Sequence, residues 1–295
     1  MKNVIVITGG AGFVGANLIS FLLKNTKYKI LSIDNYSSGL KINHIKNTKV
    51  KYIKGNTKNI STLLNSKKNK INAIFHFGEF SRIYQSFLKM GECIDSNTVG
   101  SHAVFNFCLN NKIKLIYSAT SASLGNKGRD KDLSPYAFTK SINLELLENL
   151  KRWFKMKYEI IYFYNVYGPR QISIGNMATV IGIFENAYKN KKPLPVVRPG
   201  TQSRKFTHIS DTVKVCYDAW KKNKCRHYSI SSKKDYSILE VAKLFGSKIK
   251  LLPARSGERY ASALTNMNLS NKVYKNFGKI SLKTYIEKFK NAHKR

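Results

Sequence analysis

Acidic residues are scarce in this chain. Sixteen Asp and Glu stand against 52 Lys and Arg in 295 residues, a formal net charge of +36. An excess of that size raises nucleic acid or an anionic membrane as partners, but the signals that would accompany either are missing. The lysines fall in short runs (Lys67-Lys68, Lys191-Lys192, Lys221-Lys222, Lys233-Lys234) and form no single stripe, and there is no zinc-finger spacing, RGG tract or aromatic RNP-like motif. The expectation is a solvated surface in a Lys-, Asn- and Ile-rich chain, with no nucleic-acid and no membrane partner. Its positive field would still gather small anions. Cysteine is equally sparse: Cys93, Cys108, Cys216 and Cys225 are far apart and form no CxxC, which excludes a disulfide framework and a thiolate zinc site and suits a reducing compartment. The six His make no HxxxH or HxxH pair, so no metal site is expected. No apolar run reaches bilayer-spanning length, and glycines interrupt the one at the N-terminus, so a cytoplasmic protein is expected. Repeats and low-complexity tracts are absent from the sequence.

What the chain does contain is an alternation of short apolar runs and helical periods. Strands are expected at Val4–Ile7, Lys29–Ile33, Val50–Ile53, Ile71–His76, Ile113–Ser118 and Tyr158–Phe163, with helices at Phe13–Lys24, Asn97–Leu109 and Pro135–Lys155 between them. Such alternation implies right-handed βαβ crossovers and a parallel sheet covered on both faces. After Gly168 the pattern becomes irregular, punctuated by Pro169, Pro193, Pro195, Pro199 and Gly200. The fold class expected is α/β: a Rossmann-type doubly wound parallel sheet over residues 1–167, and a smaller C-terminal α/β substrate-binding lobe over 168–295, part of which returns to the sheet.

Ligands of such sheets bind at the carboxyl ends of the strands, and the informative residues fall there. Gly9, Gly12 and Gly15 follow the first strand at GxxGxxG spacing and open a helix. Gly9 permits a tight turn, Gly12 lets a pyrophosphate approach the helix N-terminus, and Gly15 allows close helix–strand packing. Asp34 ends the next strand about 20 residues on, where a ribose-binding carboxylate belongs. Tyr136 and Lys140 are spaced i and i+4, one above the other on a helix that Ser134-Pro135 can start. A free phenol titrates near 10 and is a poor base at neutral pH. A nearby ammonium and an oxidised nicotinamide would favour its phenolate. A Tyr-x-x-x-Lys match arises by chance in a Lys-rich chain, but here it follows a dinucleotide fingerprint and a hydroxyl-rich strand end, Tyr117-Ser-Ala-Thr-Ser-Ala-Ser123. Thr120 could hold a substrate oxygen while Tyr136 takes its proton.

Taken together these motifs resemble the extended short-chain dehydrogenase/reductase family, specifically its nucleotide-sugar epimerases and dehydratases, over essentially the whole length. Thr8-Gly-Gly-Ala-Gly-Phe-Val-Gly15 is similar to the family's TGGAGFIG and Asp34-Asn35-Tyr-Ser-Ser-Gly39 to its DNLSTG. Ile74-Phe-His-Phe-Gly78 resembles HLAA, Asn97-Thr-Val-Gly100 resembles NVxGT, and Tyr164-Asn-Val-Tyr-Gly-Pro-Arg170 resembles RxFNVYGPR. Thr201-Gln-Ser-Arg-Lys-Phe206 and Arg255-Ser-Gly-Glu258 resemble GxxxRDF and RPGD. The resemblance implies NAD as cofactor, held by Gly9, Gly12, Phe13, Val14, Gly15, Asp34, Asn35, Asn56, Thr57, Phe77, Gly78, Asn97, Tyr136 and Lys140. It implies a catalytic set of Thr120, Tyr136 and Lys140. A nucleotide-diphosphate sugar would be bound through Thr120, Asn165 and the two arginines Arg204 and Arg255. A homodimer would pair through two helices per subunit. Ser262, seven residues after Arg255, resembles the position that gates the sugar's C2 group, and a small residue there would admit an N-acetyl substituent.

The chain also departs from the family pattern. The family's GDxxD loop reads Gly55-Asn56-Thr57-Lys58-Asn59, replacing a carboxylate with an amide. Gly78-Glu79-Phe80-Ser81-Arg82 adds charges beside the cofactor, readable as a salt-bridged loop. Only 16 residues separate Thr120 from Tyr136, and the family's VYG reads Ser123-Leu124-Gly125. Dehydratases of the family carry an acid just after the catalytic Thr; here Ser121 and Ala122 follow. Asn35 after Asp34 favours NAD over NADP. The first expectation is therefore C4 epimerisation of UDP-glucose or UDP-GlcNAc through a 4-keto sugar. Another nucleotide-sugar reaction (dehydratase, other epimerase or reductase) and a non-catalytic cofactor- or RNA-binding protein stay open.

Overall fold

The structure, a computed structural model, describes residues 2–121, 131–254 and 273–293. Its largest element is a parallel sheet of β1 (Val4–Thr8), β2 (Lys29–Asp34), β3 (Val50–Lys54), β4 (Ile71–His76), β5 (Lys114–Thr120), β6 (Tyr158–Phe163), β10 (His227–Ser231) and β13 (Val273–Phe277). Their spatial order is β3-β2-β1-β4-β5-β6-β10-β13. The chain leaves β1 in one direction and returns through β4 in the other, so the crevice above β1 and β4 is the topological switch point. Neighbours pair in parallel throughout, with Thr8 opposite both Ile33 and His76.

Every residue of β1 is buried because the sheet is covered on both sides. Alternate residues enter opposite cores, as the two-residue period of a strand requires. Val4 and Val6 pack with α2 (Ile60–Leu64), α5 (Ser101–Asn110) and α6 (Pro135–Phe154) through Leu64, Phe105, Cys108 and Leu147. Ile5 and Ile7 pack with α1 (Phe13–Asn25) and α8 (Ile209–Lys222) through Leu18, Leu22, Cys216 and Trp220. Cys93, Cys108 and Cys216 are buried thiols, and none of the four cysteines is bridged. Among the described residues no helix is long and apolar enough to cross a membrane.

The smaller lobe is built on two short sheets. One is β7 (Asn165–Tyr167), β9 (Ser203–His208) and β11 (Asp235–Ser237); the other pairs β8 (Leu194–Val197) with β12 (Ile249–Leu252). Helices α7 (Val180–Lys189), α9 (Ile238–Phe245) and α10 (Leu282–Ala292) cover them around Phe184, Phe206, Phe245 and Ile286. The part of residues 168–295 that rejoins the large sheet is α8, β10 and β13.

One expected helix begins differently. Between α3 (Ile83–Leu88) and α5, a short α4 (Met90–Ile94) runs into a π-helical turn over Asp95–Gly100. The wider turn carries Asn97 to zero exposure, where its amide holds the backbone of Phe80.

Glycine 15 has no room for a side chain: a Cβ would collide with Gly9 O and lie 2.7 Å from Gly10 Cα. Gly91, in α4, has nothing within 4 Å. Gly15→Ala should lower unfolding free energy by about 1–3 kcal/mol, whereas Gly91→Ala should be neutral or stabilising by up to about 1 kcal/mol. Urea midpoints of the two variants check the contrast.

Candidate active site

At the switch point the turn after β1 is drawn tight. Gly9, at φ +70°, donates to Ile33 O, and a Cβ there would lie 2.7 Å from Phe77 O. Gly12 caps α1 in an extended conformation with no side-chain cap. A Cβ added to Gly12 would meet only Gly9 O, at 3.1 Å. Its open side is a cavity of about 840 Å³ between the strand ends and the smaller lobe. The start of α1, with its positive dipole end, therefore faces open space suited to a phosphate.

Asp34 lines the same cavity. Its carboxylate accepts from Ala11 N at 2.9 Å and Tyr36 N at 2.8 Å. Burial raises its pKa, and these N–H groups work against the rise. A Cβ on Gly39 would reach to 2.7 Å from Asp34 Oδ1, so that glycine keeps the carboxylate accessible. Asn35 Nδ2 donates to Asn56 Oδ1 at 2.8 Å, and Phe13, Val14, Gly15, Thr57, Phe77 and Gly78 complete this end. The glycine cradle and the ribose-type carboxylate fit a dinucleotide.

Further along the wall stand Thr120, Tyr136 and Lys140, and across from them Asn165 and Arg204 of the smaller lobe. The expected helix start is present: Pro135 is the first residue of α6 and Ser134 Oγ accepts from Ala137 N. Thr120, the last residue of β5, hydrogen-bonds the Tyr136 phenol. Asn165 Nδ2 donates to Lys205 O and Arg204 to Ser203 O, which hold both side chains on the paired strands β7 and β9. The remaining expected residues stand apart from this wall or outside the described residues. Asn97 does not line the cavity; it lies behind the wall, bonded to Phe80 and to Thr139 Oγ1. Arg255, Ser262, Ala122 and the Ser123–Gly125 segment lie outside the described residues.

The charged loop after β4 is arranged otherwise than a salt-bridged Glu79/Arg82 pair. Glu79 turns inward and pairs with Lys140, their side chains only 2% and 4% exposed. Its other oxygen accepts from Ser101 Oγ at 2.7 Å, Tyr117 Oη at 3.0 Å and Asn143 Nδ2 at 3.3 Å. Arg82 turns to the cavity, with Nη2 and Nε donating to Met177 O at 2.6 and 3.0 Å. Sequence spacing offered no sign of either partner, since Lys140 and Met177 lie 61 and 95 residues away.

A chain of hydrogen bonds ties this pair to the switch point. Thr8 Oγ1 accepts from Phe77 N and Gly78 N, so its hydroxyl is free to donate to His76 Nδ1 at 2.7 Å. His76 Nε2 then donates to Ser101 Oγ at 2.9 Å, and Ser101 donates on to Glu79. This order assigns His76 as the neutral Nε2–H tautomer. Burial agrees, holding its pKa down to about 4. The same burial lowers the pKa of Lys140, with Glu79 opposing, and pushes the Tyr136 phenol up to about 12.

Residues 5–231 match the family described as NAD dependent epimerase/dehydratase. A Dictyostelium discoideum dTDP-D-glucose 4,6-dehydratase is 27% identical over 266 residues, covering 81% of this chain and 60% of that protein. The chain thus spans about three fifths of that relative. An uncharacterised UDP-glucose epimerase of Bacillus subtilis is 29% identical over 229 residues, covering 71% of this chain and 70% of its own. Among solved structures, the Bacillus cereus UDP-glucuronic acid 4-epimerase in complex with UDP-glucuronic acid and NAD superposes with a TM-score of 0.84. It is 23% identical and 98% of each chain is covered.

The neutral state of His76 has a measurable cost in acid. The unfolded histidine titrates near 6.5 and the folded one near 4, so between these the unfolded chain binds a proton that the folded chain refuses. Stability from this residue is level above pH 6.5 and falls as pH drops toward 4, by about 3 kcal/mol in all. Urea midpoints of wild type and His76→Gln at both pH values check this. The wild type should lose more on acidification than the variant.

Proposed function

The chain belongs to the NAD dependent epimerase/dehydratase family, and from that premise we propose that it epimerises a UDP-hexose at C4. The observation that carries this reading is the Thr120–Tyr136 hydrogen bond at the cavity wall, beside a glycine cradle and Asp34. When bound, NAD supplies a transient hydride store, so returning the hydride to the opposite sugar face gives the epimer and needs no second substrate. Tyr136 Oη takes the proton from the sugar O4 and gives it back at the end, and Thr120 Oγ1 orients that oxygen. Asp34 accepts from the adenosine ribose hydroxyls, and the start of α1 faces the pyrophosphate. Arg204 binds the substrate diphosphate, for which a planar guanidinium supplies two parallel donors. Asn165 contacts the nucleotide sugar from β7, and Arg255 and Ser262 are assigned to diphosphate and C2 recognition from their motif alone.

A second reading, dehydration, is favoured by the likeness to the Dictyostelium dehydratase. Expelling water from C6 needs an acid beside Thr120, and the neighbouring position holds the buried hydroxyl of Ser121. That residue favours the simpler epimerisation.

Incubation with UDP-glucose and with UDP-GlcNAc, each with NAD, should yield the C4 epimer with no accumulation of NADH and no change of sugar mass. A product lighter by one water would select the dehydratase. Tyr136→Phe should retain NAD binding and lose turnover by about 10²–10⁴-fold; activity within a few-fold of the parent would remove Tyr136 from the chemistry.

We also propose a homodimer through α6 and the neighbouring π-helical turn. Phe138 and Ile142, one helical turn apart, are exposed on α6, as are Ile94 and Val99 on the segment packed beside it. Light scattering should give twice the chain mass for the wild type and a monomer for Phe138→Glu.

A further inference from the structure

The spacing of Tyr136 and Lys140 puts an ammonium near a phenol, but spacing says nothing of what else that ammonium meets. An ammonium has three N–H donors. In this structure one meets Glu79 Oε2 and another Ser118 O at 2.5 Å, and the nitrogen lies 4.7 Å from the centre of the Tyr117 ring. Glu79 in turn is fixed by Ser101, Tyr117 and Asn143, so the pair is held from both ends. A carboxylate clamped to a buried ammonium offsets most of its field at a third group nearby. Arg82 stands differently. Its hydrogen bonds run to the carbonyls of Met177 and Ser81 and to Ser81 Oγ, and among the described residues no carboxylate pairs with it. Its charge is uncompensated on the same cavity wall as the phenol.

We propose that Glu79 is a positioning residue that pins and neutralises Lys140, and that Arg82 is the cation that supports the Tyr136 phenolate. The proposal rests on reading Tyr136 as the proton acceptor. The groups that face the phenol agree with it. Thr120, at the end of β5, donates a hydrogen bond and Arg82 attracts, both favouring the phenolate; Glu79 repels it, and Cys93 of α4 acts in the same direction as Glu79. Lys140, on the phenol's own helix, and Tyr117, on β5, are both engaged by Glu79. The division has a chemical use. Lys140 becomes a rigid strut between Ser118 and Glu79, while the cation that tunes the base sits on a loop facing the sugar.

The test compares the ionisation of Tyr136 in variants by two readouts. One is the tyrosinate absorbance that each protein has in excess of its own Tyr136→Phe partner, which needs no substrate. The other is the ascending limb of kcat/KM against pH. Relative to the parent, Glu79→Gln should ionise Tyr136 at lower pH, by about one pH unit, and Arg82→Gln at higher pH by a similar amount. Arg82→Lys should stay near the parent. Where Glu79→Gln alone does not fold, Glu79→Gln/Lys140→Gln removes both charges together and should also stay near the parent. A purely packing role would lower stability or kcat and leave both readouts in place. Three results would overturn the proposal: Glu79→Gln with Tyr136 unmoved, the double variant raised by about a unit, or Arg82→Gln indistinguishable from the parent. Absence of turnover in the parent would count against the epimerase reading, and the absorbance titration would still decide this one.

Discussion

The site depends on one buried ion pair, Glu79 with Lys140. It joins the loop after β4 to α6, and its other contacts reach β5 through Ser118 and Tyr117 and α5 through Ser101. Through Ser101 and His76 it continues to Thr8, whose hydroxyl anchors the turn at Phe77 and Gly78. That turn is what Gly9 packs against. The glycine cradle and the Tyr–Lys helix, separated by more than 120 residues of sequence, are thus held to one frame. Desolvating two charges is expensive and a pair repays it only when its remaining hydrogen bonds are satisfied. Here each partner has further fixed contacts, so the pair can serve as a register pin.

The scarcity of acid acquires a structural meaning in the same light. Several of the 16 acidic side chains stand at junctions of the chain, where they receive backbone amides. Glu159 is fully buried, pairs with Lys114 and receives the amides of Lys224, Cys225 and Arg226. Asp34 receives Ala11 and Tyr36, and Asp211 receives the amides of Lys279 and Ile280. Glu240 completes the capping box of α9. With these carboxylates engaged in fixing backbone, the lysines at the surface meet few counter-charges. A strong positive field around a cleft draws diphosphates toward it. The charge that first suggested nucleic acid is compatible with a small anionic substrate.

Much of the architecture was legible from the sequence. Val4–Thr8, Ile71–His76 and Tyr158–Phe163 are apolar enough on both faces that only a doubly covered strand suits them, and Ser134-Pro135 marks the start of α6 without tertiary help. Asp34 and Thr120 end β2 and β5, where ligands of such sheets gather, and Tyr136 joins them on one cavity wall from the first turn of α6. Other features were hidden for identifiable reasons. Which part of residues 168–295 rejoins the large sheet, β10 beside β6 and β13 beside β10, depends on pairing with a strand more than 60 residues away, which local periodicity does not encode. The π-helical turn at Asp95–Gly100 brings the Asn97 amide to the backbone of Phe80, a contact set by tertiary packing that local periodicity does not show.

The largest gap between motif and structure concerns charge. A Tyr-x-x-x-Lys spacing fixes where a phenol and an ammonium can stand on a helix face, because the helix period is a property of the backbone. It leaves open the net charge that the phenol experiences, which is decided by groups arriving from other elements. Glu79 lies 61 residues before Lys140, on the loop that follows β4. A single carboxylate at that place changes the sum beside Tyr136 by a full unit of charge, and the Glu79 and Lys140 side chains are buried, where Coulomb interactions are less screened than at the surface. A compensating cation is then required if the phenol is to ionise near neutral pH, and Arg82, three residues beyond Glu79 and facing the opposite way, is placed to be that cation. The two charges lie on one short loop, so the acid that engages Lys140 and the base that faces the cavity are placed by one local segment. The charge beside a Tyr-x-x-x-Lys pair can thus be set by a neighbouring loop without altering either member of the pair.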